Sequence, residues 1–268
     1  VAPDDTTRPN EELAVERLDG GEGSEPLVLV HGFTQTARCW GPFGTDLAAT
    51  RDVVAVDAPG HGRSSTVRAD LSEGAELLGA VGGRATYVGY SMGGRLALHL
   101  ALAHPDLADR LVLIGATAGI DDEGERAERR RADERLADHL EDVGVDAFLE
   151  EWLAQPLFAA LSPDAACLPE RRRNSAAGLA SSLRLAGTGT QRPLWDELSR
   201  LTMPVLLLVG VQDRKFTALA ERMASAIGPR ATICAVAGAG HSVHLEAPTP
   251  TATLLGQWLD DHPIERAG

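Results

Sequence analysis

The sequence predicts an α/β fold: a mostly parallel central sheet flanked by helices and carrying a helical cap insertion. Three observations predict it. Short β-branched and leucine-rich runs recur along the chain, amphipathic stretches separate them, and this rhythm stops between about residues 119 and 200. Runs that are apolar on both faces suit strands covered by helices on either side, and strand-then-helix repetition builds a parallel sheet.

The strands come in order. Pro26 to His31 (PLVLVH) is the first buried run and ends in a turn. Asp52 to Asp57 (DVVAVD) is the second, stopped by Pro59-Gly60, and Ala85 to Gly89 (ATYVG) is the third. Arg110 to Gly115 (RLVLIG), Pro204 to Gly210 (PVLLLVG) and Ala231 to Val236 (ATICAV) complete the set. Helical patterns lie between them: Gly94 to His104 stops before Pro105, Phe216 to Ile227 stops at Gly228-Pro229, and Thr249 to Asp261 closes the chain. The break in rhythm holds charged helical patterns instead, at Glu123 to Leu140, Val145 to Leu153 and Gly178 to Ala186, with a Pro-rich stretch among them. Residues 1–118 and 201–268 therefore read as the core and 119–200 as a cap over the carboxyl edge of the sheet, where open α/β sheets bind ligands. The segment through Glu25 and the tail after Asp261 carry no motif and read as peripheral.

Charge narrows the function. The chain has 268 residues, with 25 Lys+Arg against 39 Asp+Glu, a formal net charge of −14. Such a chain lacks the electrostatic footprint for nucleic acid or an anionic membrane surface. No apolar run approaches the ~18 residues of a membrane span, and the polar start at Val1 to Asn10 is unlike a signal peptide. Cys39, Cys167 and Cys234 are scattered and lack metal-ligand spacing, so they read as reduced thiols of a cytoplasmic protein. No metal site, phosphate-binding loop or dinucleotide fingerprint is present, and Gly82-Gly83 is a loop before a strand; no cofactor is expected.

One motif carries chemistry. Gly89-Tyr90-Ser91-Met92-Gly93 fits G-x-S-x-G and sits where a strand ends and a helix begins, the context of a nucleophile elbow. A serine hydroxyl needs a base, and the base an orienting acid. Asp213 follows the fifth strand and His241 the sixth, so the chain order is Ser, Asp, His. Of eight histidines only His241 and His244 lie in that last loop, and His241 follows the flexible Gly238-Ala239-Gly240. His99, His104, His139 and His262 fall on helices or their ends and read as surface or core residues, while His31 and the Asp57 to Ser64 loop read as structural. The loop His31-Gly32-Phe33 lies beside the elbow, so the N–H groups of Phe33 and Met92 can converge on a developing oxyanion. Arg95 is four residues beyond Ser91, about 400° around the helix, and hence on nearly the same face.

These residues identify the fold as that of the α/β-hydrolase superfamily. The stretches LVHGFTQTARCW, DAPGHGRS, VGYSMGGRLAL, ERAERRRAD, FLEEWLAQPLF, GTGTQRPLWDEL, LLLVGVQDRKF and GAGHSVHLEAP resemble one branch, the 2-succinyl-6-hydroxy-2,4-cyclohexadiene-1-carboxylate synthases of menaquinone (vitamin K2) biosynthesis. The resemblance spans about Leu27 to Pro248. The elbow and histidine motifs are common to the superfamily. Tyr90 with Arg95, the arginine-rich helix, W-x-x-x-P-x-F and D-x-K-F are more particular to the branch.

The resemblance implies a lyase that eliminates pyruvate from 2-succinyl-5-enolpyruvyl-6-hydroxy-3-cyclohexene-1-carboxylate. Ser91, activated by His241 and Asp213, would act as base rather than acyl acceptor. A substrate with three carboxylates needs cations, and the resemblance implies Tyr90, Arg95, Arg129, Trp152, Arg173 and Lys215 as its contacts. Arg129 and Arg173 each lie in a triplet whose neighbours point ~100° apart, and only the resemblance selects them as the inward pair. Trp152 fits a cap aromatic or a core anchor equally, and Lys215 an anion ligand or an anchor for the loop of Asp213. The expected partner is a small-molecule polycarboxylate, and the expected assembly a monomer or weak homo-oligomer. Alternatives are a serine esterase or C–C hydrolase on an acidic substrate, a relative recruited to secondary metabolism, and a non-enzymatic binding protein, against which the intact trio Ser91, Asp213 and His241 argues.

Overall fold

A computed structural model describes residues 12–18 and 25–264. The strands are β1 (Val15–Leu18), β2 (Leu27–Val30), β3 (Val53–Val56), β4 (Ala85–Tyr90), β5 (Ala108–Ile114), β6 (Val205–Gly210) and β7 (Ala231–Val236). They form one sheet in the order β1-β3-β2-β4-β5-β6-β7. Every pairing is parallel except β1 with β3, where Val15 faces Val56 and Leu18 faces Val53.

The helices are α1 (Gly41–Ala48), α2 (Leu71–Gly82), α3 (Met92–Ala103), α4 (Glu123–Leu153), α5 (Leu168–Arg171), α6 (Ala176–Ala186), α7 (Arg214–Ile227), α8 (Val243–Glu246) and α9 (Pro248–Asp261). β2, β4 and β6 are buried at every position because helices cover both faces. On one face Leu78 of α2, Leu96 and Leu100 of α3 and Met223 of α7 pack on Val28, Leu111 and Leu207. On the other, Phe43 of α1 and Leu255 and Trp258 of α9 pack on Leu29, Val112 and Leu208. Local sequence fixes several helix starts. Asp70 and Glu73 form a reciprocal capping box at α2, and Asp122 and Ser175 cap α4 and α6.

Between β5 and β6 the chain leaves the sheet for α4, α5 and α6. α4 is broken at Gly144 (φ 79°, ψ 170°), between the two helical patterns expected from the sequence. Its halves and α6 share a small core of Ala137, Leu140, Phe148, Leu179 and Leu183. The reading of the N-terminal segment as peripheral is corrected for residues 12–18. Leu13 enters the main core, β1 pairs at the sheet edge, and Ala14 N–H donates to Ser64 Oγ. Arg110, buried beneath the other end of the chain, donates to Leu259 O and His262 O and pairs with Glu25. The remainder of both segments, residues 1–11, 19–24 and 265–268, lies outside the described residues. No helix among the described residues is long and apolar enough to cross a membrane.

Candidate active site

β4 runs into α3 with only Ser91 between them, and so sharp a turn requires Ser91 to take φ 51°, a left-handed conformation that side chains disfavour. Backbone bonds hold it there. Ser91 N–H donates to Ile114 O (2.8 Å), and its carbonyl accepts from Arg95 N–H (3.1 Å). The turn also needs two close backbone approaches. A Cβ on Gly89 would stand 2.4 Å from Gly93 O, and one on Gly93 would stand 2.0 Å from Val30 O. The hydroxyl is thereby presented at the end of a central strand and the start of a helix, where developing negative charge is favoured.

His241 and Asp213 reach the same point from the loops after β7 and β6. His241 Nε2 is 3.3 Å from Ser91 Oγ, and Nδ1 is 2.8 Å from Asp213 Oδ2. The other carboxylate oxygen accepts the Phe216 N–H at 3.1 Å, so Asp213 is also the N-cap of α7. That double duty fixes its orientation. The imidazole lies between the Phe216 and Tyr90 rings, at centroid distances of 4.4 and 5.3 Å. With Nδ1–H donating to the carboxylate, Nε2 is left to accept the serine proton, the geometry needed to activate a hydroxyl.

Ser91 and His241 face a cavity between the sheet's carboxyl edge and α4 to α6, with Asp213 behind the imidazole. It is lined by Phe33, Tyr90, Met92, Trp152, Phe158 and Phe216 among apolar and aromatic groups, and by Arg95, Arg129, Arg171 and Lys215. Among the described residues, no aspartate or glutamate is in its lining. Phe33 and Met92 belong to this wall, and the N–H of neither donates to a protein acceptor among the described residues.

The cations differ in how they are held. Arg95 is buried, with one Nη donating to Ala186 O at 2.8 Å. Burial first, then the nearby Arg129, lowers its pKa to about 10, so it stays charged at neutral pH. Arg129 is clamped through Nε to the buried Asp133 at 2.7 Å, and Asp133 also accepts the Gly189 N–H. Lys215, the sole lysine, stands exposed with Nζ 5.8 Å from the Phe216 ring centroid. Among the described residues, Arg95, Arg171 and Lys215 have no carboxylate partner.

The structure does not bring Arg173 to the cavity. Its side chain is 61 % exposed and sits near Glu170, its i−3 neighbour. Arg172 likewise points outward to Asp146. The inward member of the triplet is Arg171, whose side chain is almost fully buried. Its Nε donates to Ala166 O at 2.7 Å, one Nη donates to Thr34 Oγ1, and the other Nη is buried with no partner. The physical reason is local. Cys167 takes a left-handed conformation (φ 57°) and starts a helix of only four residues, so the phase of the triplet is set by that turn. Within the other triplet, Arg129 lines the cavity and Arg130 turns to Gly189 O.

Tyr90 lines the cavity with its ring, while its hydroxyl is engaged by Ser242 Oγ at 2.7 Å; burial raises its pKa. Trp152 does both things the sequence allowed. Its ring packs on Phe33 and Phe148 and faces the cavity, and its Nε1–H is buried without a partner. Sequence reasoning missed Arg171, Phe158 and Phe216. The W-x-x-x-P-x-F and D-x-K-F elements contain the two phenylalanines, but nothing in their spacing shows that both rings close around His241.

Comparison with known proteins agrees with this architecture. The model described as "Alpha/beta hydrolase family" matches residues 27–254. The 2-succinyl-6-hydroxy-2,4-cyclohexadiene-1-carboxylate synthase of Salmonella typhimurium is 32 % identical, covering 92 % of this chain and 98 % of its own. A Bacillus subtilis protein provisionally given the same name is 34 % identical, covering 90 % of this chain and 92 % of its own. Among solved structures, MenH from S. aureus superposes with a TM-score of 0.86 at 28 % identity, over 92 % of this chain and 98 % of that one. A family match over most of the length, joined by relatives at 32 and 34 % identity covered nearly end to end, places the chain: it belongs to the alpha/beta hydrolase family, among proteins that carry the synthase name.

Proposed function

We propose that this enzyme eliminates pyruvate from 2-succinyl-5-enolpyruvyl-6-hydroxy-3-cyclohexene-1-carboxylate to give 2-succinyl-6-hydroxy-2,4-cyclohexadiene-1-carboxylate, a step of menaquinone biosynthesis. The observation that carries this reading is the cavity beside Ser91. In a chain with 39 acidic residues, four cations and, among the described residues, no carboxylate line it. A neutral ester would leave the buried Arg95 and Arg171 without an anionic partner, whereas a tricarboxylate supplies one.

The reaction asks first for a proton to be taken from the ring carbon α to the succinyl ketone. In this reading His241 accepts the Ser91 proton and the serine oxygen takes the carbon-bound one, while Asp213 stabilises the imidazolium. The enolate oxygen meets the N–H groups of Phe33 and Met92, which need no reorganisation to receive it. Collapse of the enolate moves the ring double bond and expels the enolpyruvyl oxygen, which leaves as pyruvate. His241 returns the proton. Arg95, Arg129, Arg171 and Lys215 hold the carboxylates, and the Trp152 ring covers the cyclohexene. Residues 1–118 and 201–268 serve as core and 119–200 as cap. The free cysteines and a small metabolite substrate fit a cytoplasmic enzyme, monomeric or weakly self-associating.

The purified protein should release pyruvate in step with diene absorbance, and Ser91→Ala should lower the rate at least about a hundredfold. Ester hydrolysis with a trapped acyl-serine and no pyruvate would replace this reading with a serine hydrolase of acidic substrates.

A further inference from the structure

Phe33 sits in a tight turn after β2. Gln35 N–H donates to Gly32 O at 3.1 Å, and the Gln35 amide oxygen accepts the Gly32 N–H at 3.2 Å, so Phe33 and Thr34 are the two central residues. Thr34 has φ 67° while Phe33 keeps a negative φ. That is the backbone of a type II turn, whose third residue is ordinarily glycine. A β-branched residue there is strained.

Thr34 is fully buried, and each of its polar groups is held. Its N–H donates to His61 Nε2 at 3.3 Å, its carbonyl accepts from Asn174 Nδ2 at 2.8 Å, and its hydroxyl accepts from one Nη of Arg171. Glycine would relieve the strain and keep the two backbone bonds. The contact that requires a side chain here is the one to Arg171. Arg171 and Phe33 both line the cavity, and the second Nη of Arg171 is buried without a partner.

We propose that Thr34 is a positioning residue, coupling the grip on a substrate carboxylate at Arg171 to the placement of the Phe33 N–H at the oxyanion. The coupling rests on the substrate and the oxyanion hole assigned above. A carboxylate drawn to the free Nη fixes the guanidinium, the guanidinium fixes the Thr34 hydroxyl, and the hydroxyl fixes the turn that carries Phe33. Asn174 steadies the same turn from the cap, with its Oδ1 accepting the Gly62 N–H at 2.8 Å and its Nδ2 also donating to Arg171 O at 2.9 Å. Carboxylate binding is thereby spent at the reacting centre, so an acidic substrate gains in kcat as well as in KM.

The test measures kcat and KM for pyruvate release, with melting curves, in Thr34→Gly, Thr34→Ser, Arg171→Met and the Thr34→Gly/Arg171→Met double variant. Thr34→Gly should melt close to the wild type, since relief of strain offsets the lost bond, yet its kcat should fall about tenfold as the oxyanion donor drifts. Thr34→Ser keeps the hydroxyl and should hold kcat within about threefold of the wild type. In the Arg171→Met background Thr34→Gly should cost less than about twofold, because the contact is already gone. An unchanged kcat in Thr34→Gly, a serine variant as slow as the glycine one, or Thr34 and Arg171 effects that simply multiply would overturn the proposal. A wild type that hydrolyses mono-4-nitrophenyl succinate through Ser91 but releases no pyruvate would remove the assigned reaction alone. The same variants are then read on that acidic ester, whose oxyanion needs the same N–H, and the same outcomes decide.

Discussion

The choice between Arg171 and Arg173 gives the sharpest test of the cavity. One Nη of Arg171 is buried and unpartnered, so a substrate carboxylate would gain one charge-assisted bond there. Such a bond contributes about 1.5–3 kcal/mol, which is roughly 10- to 150-fold in affinity. Arg171→Lys keeps the charge and most of the stem but loses the fork that spans Ala166 O, Thr34 Oγ1 and the cavity together. KM for the enolpyruvyl substrate should rise about 10- to 100-fold, with kcat falling less. Arg173→Ala removes an exposed guanidinium whose neighbour, Glu170, is 25 % exposed. An exposed pair is worth at most about 1 kcal/mol, and to the fold rather than the substrate, so KM should stay within about twofold. The assay is steady-state pyruvate release by coupled reduction, with melting curves on each variant to separate binding from folding. A tenfold KM increase in Arg173→Ala beside an unaffected Arg171→Lys would refute the assignment and put the other member of the triplet in the pocket.

Asp213→Asn should lower kcat by about 10³–10⁴-fold, since an amide cannot stabilise the imidazolium. Its melting temperature should barely move, because the amide oxygen still accepts the Phe216 N–H. Gly144→Ala should cost about 1–3 kcal/mol by melting, from φ 79° alone, since a Cβ there meets nothing within 4 Å. KM should rise with it, because Trp152 lies beyond the kink. Acid should destabilise the fold in a defined window. Burial lowers His61 from 6.5 to about 3 and His99 from 6.5 to about 4, so between these limits the unfolded chain binds more protons. Stability is then complete above pH 6.5 and is lost as pH falls, by about 2 kcal/mol for each histidine between pH 7 and 5. Denaturant titrations at those two pH values measure it, and His61→Gln should remove one histidine's share. An unchanged slope in that variant would mean His61 is not the buried neutral group described.

What the sequence revealed follows from burial. Strands covered on both faces must be apolar throughout, so LVLV, VVAV and VLLLVG announce themselves. β1 does not. Its four residues, VERL, alternate between exposed and half-buried at an edge, a pattern too short to stand out. The serine, aspartate and histidine were legible because each follows a strand in a fixed chain order. The arginine triplet was not, since helical phase cannot be read through a four-residue helix that starts at a left-handed cysteine.

A chain of formal charge −14 that concentrates cations around one cavity has to keep its own carboxylates out of it. The cap shows how. Where α4 meets α6, Glu134, Asp138 and Glu141 gather on Arg184, so these acids are held at the exposed surface of the cap. Two acids are buried near the cavity: Asp213, held by His241 and the Phe216 N–H, and Asp133, whose two oxygens are occupied by Arg129 Nε and the Gly189 N–H. Asp133 therefore positions a cation without adding a free anion to the wall. Screening beyond ~8 Å at physiological salt weakens the distant carboxylates, while the cavity cations act at contact range. The global charge and the local one can thus have opposite signs without conflict, and the local one decides what enters.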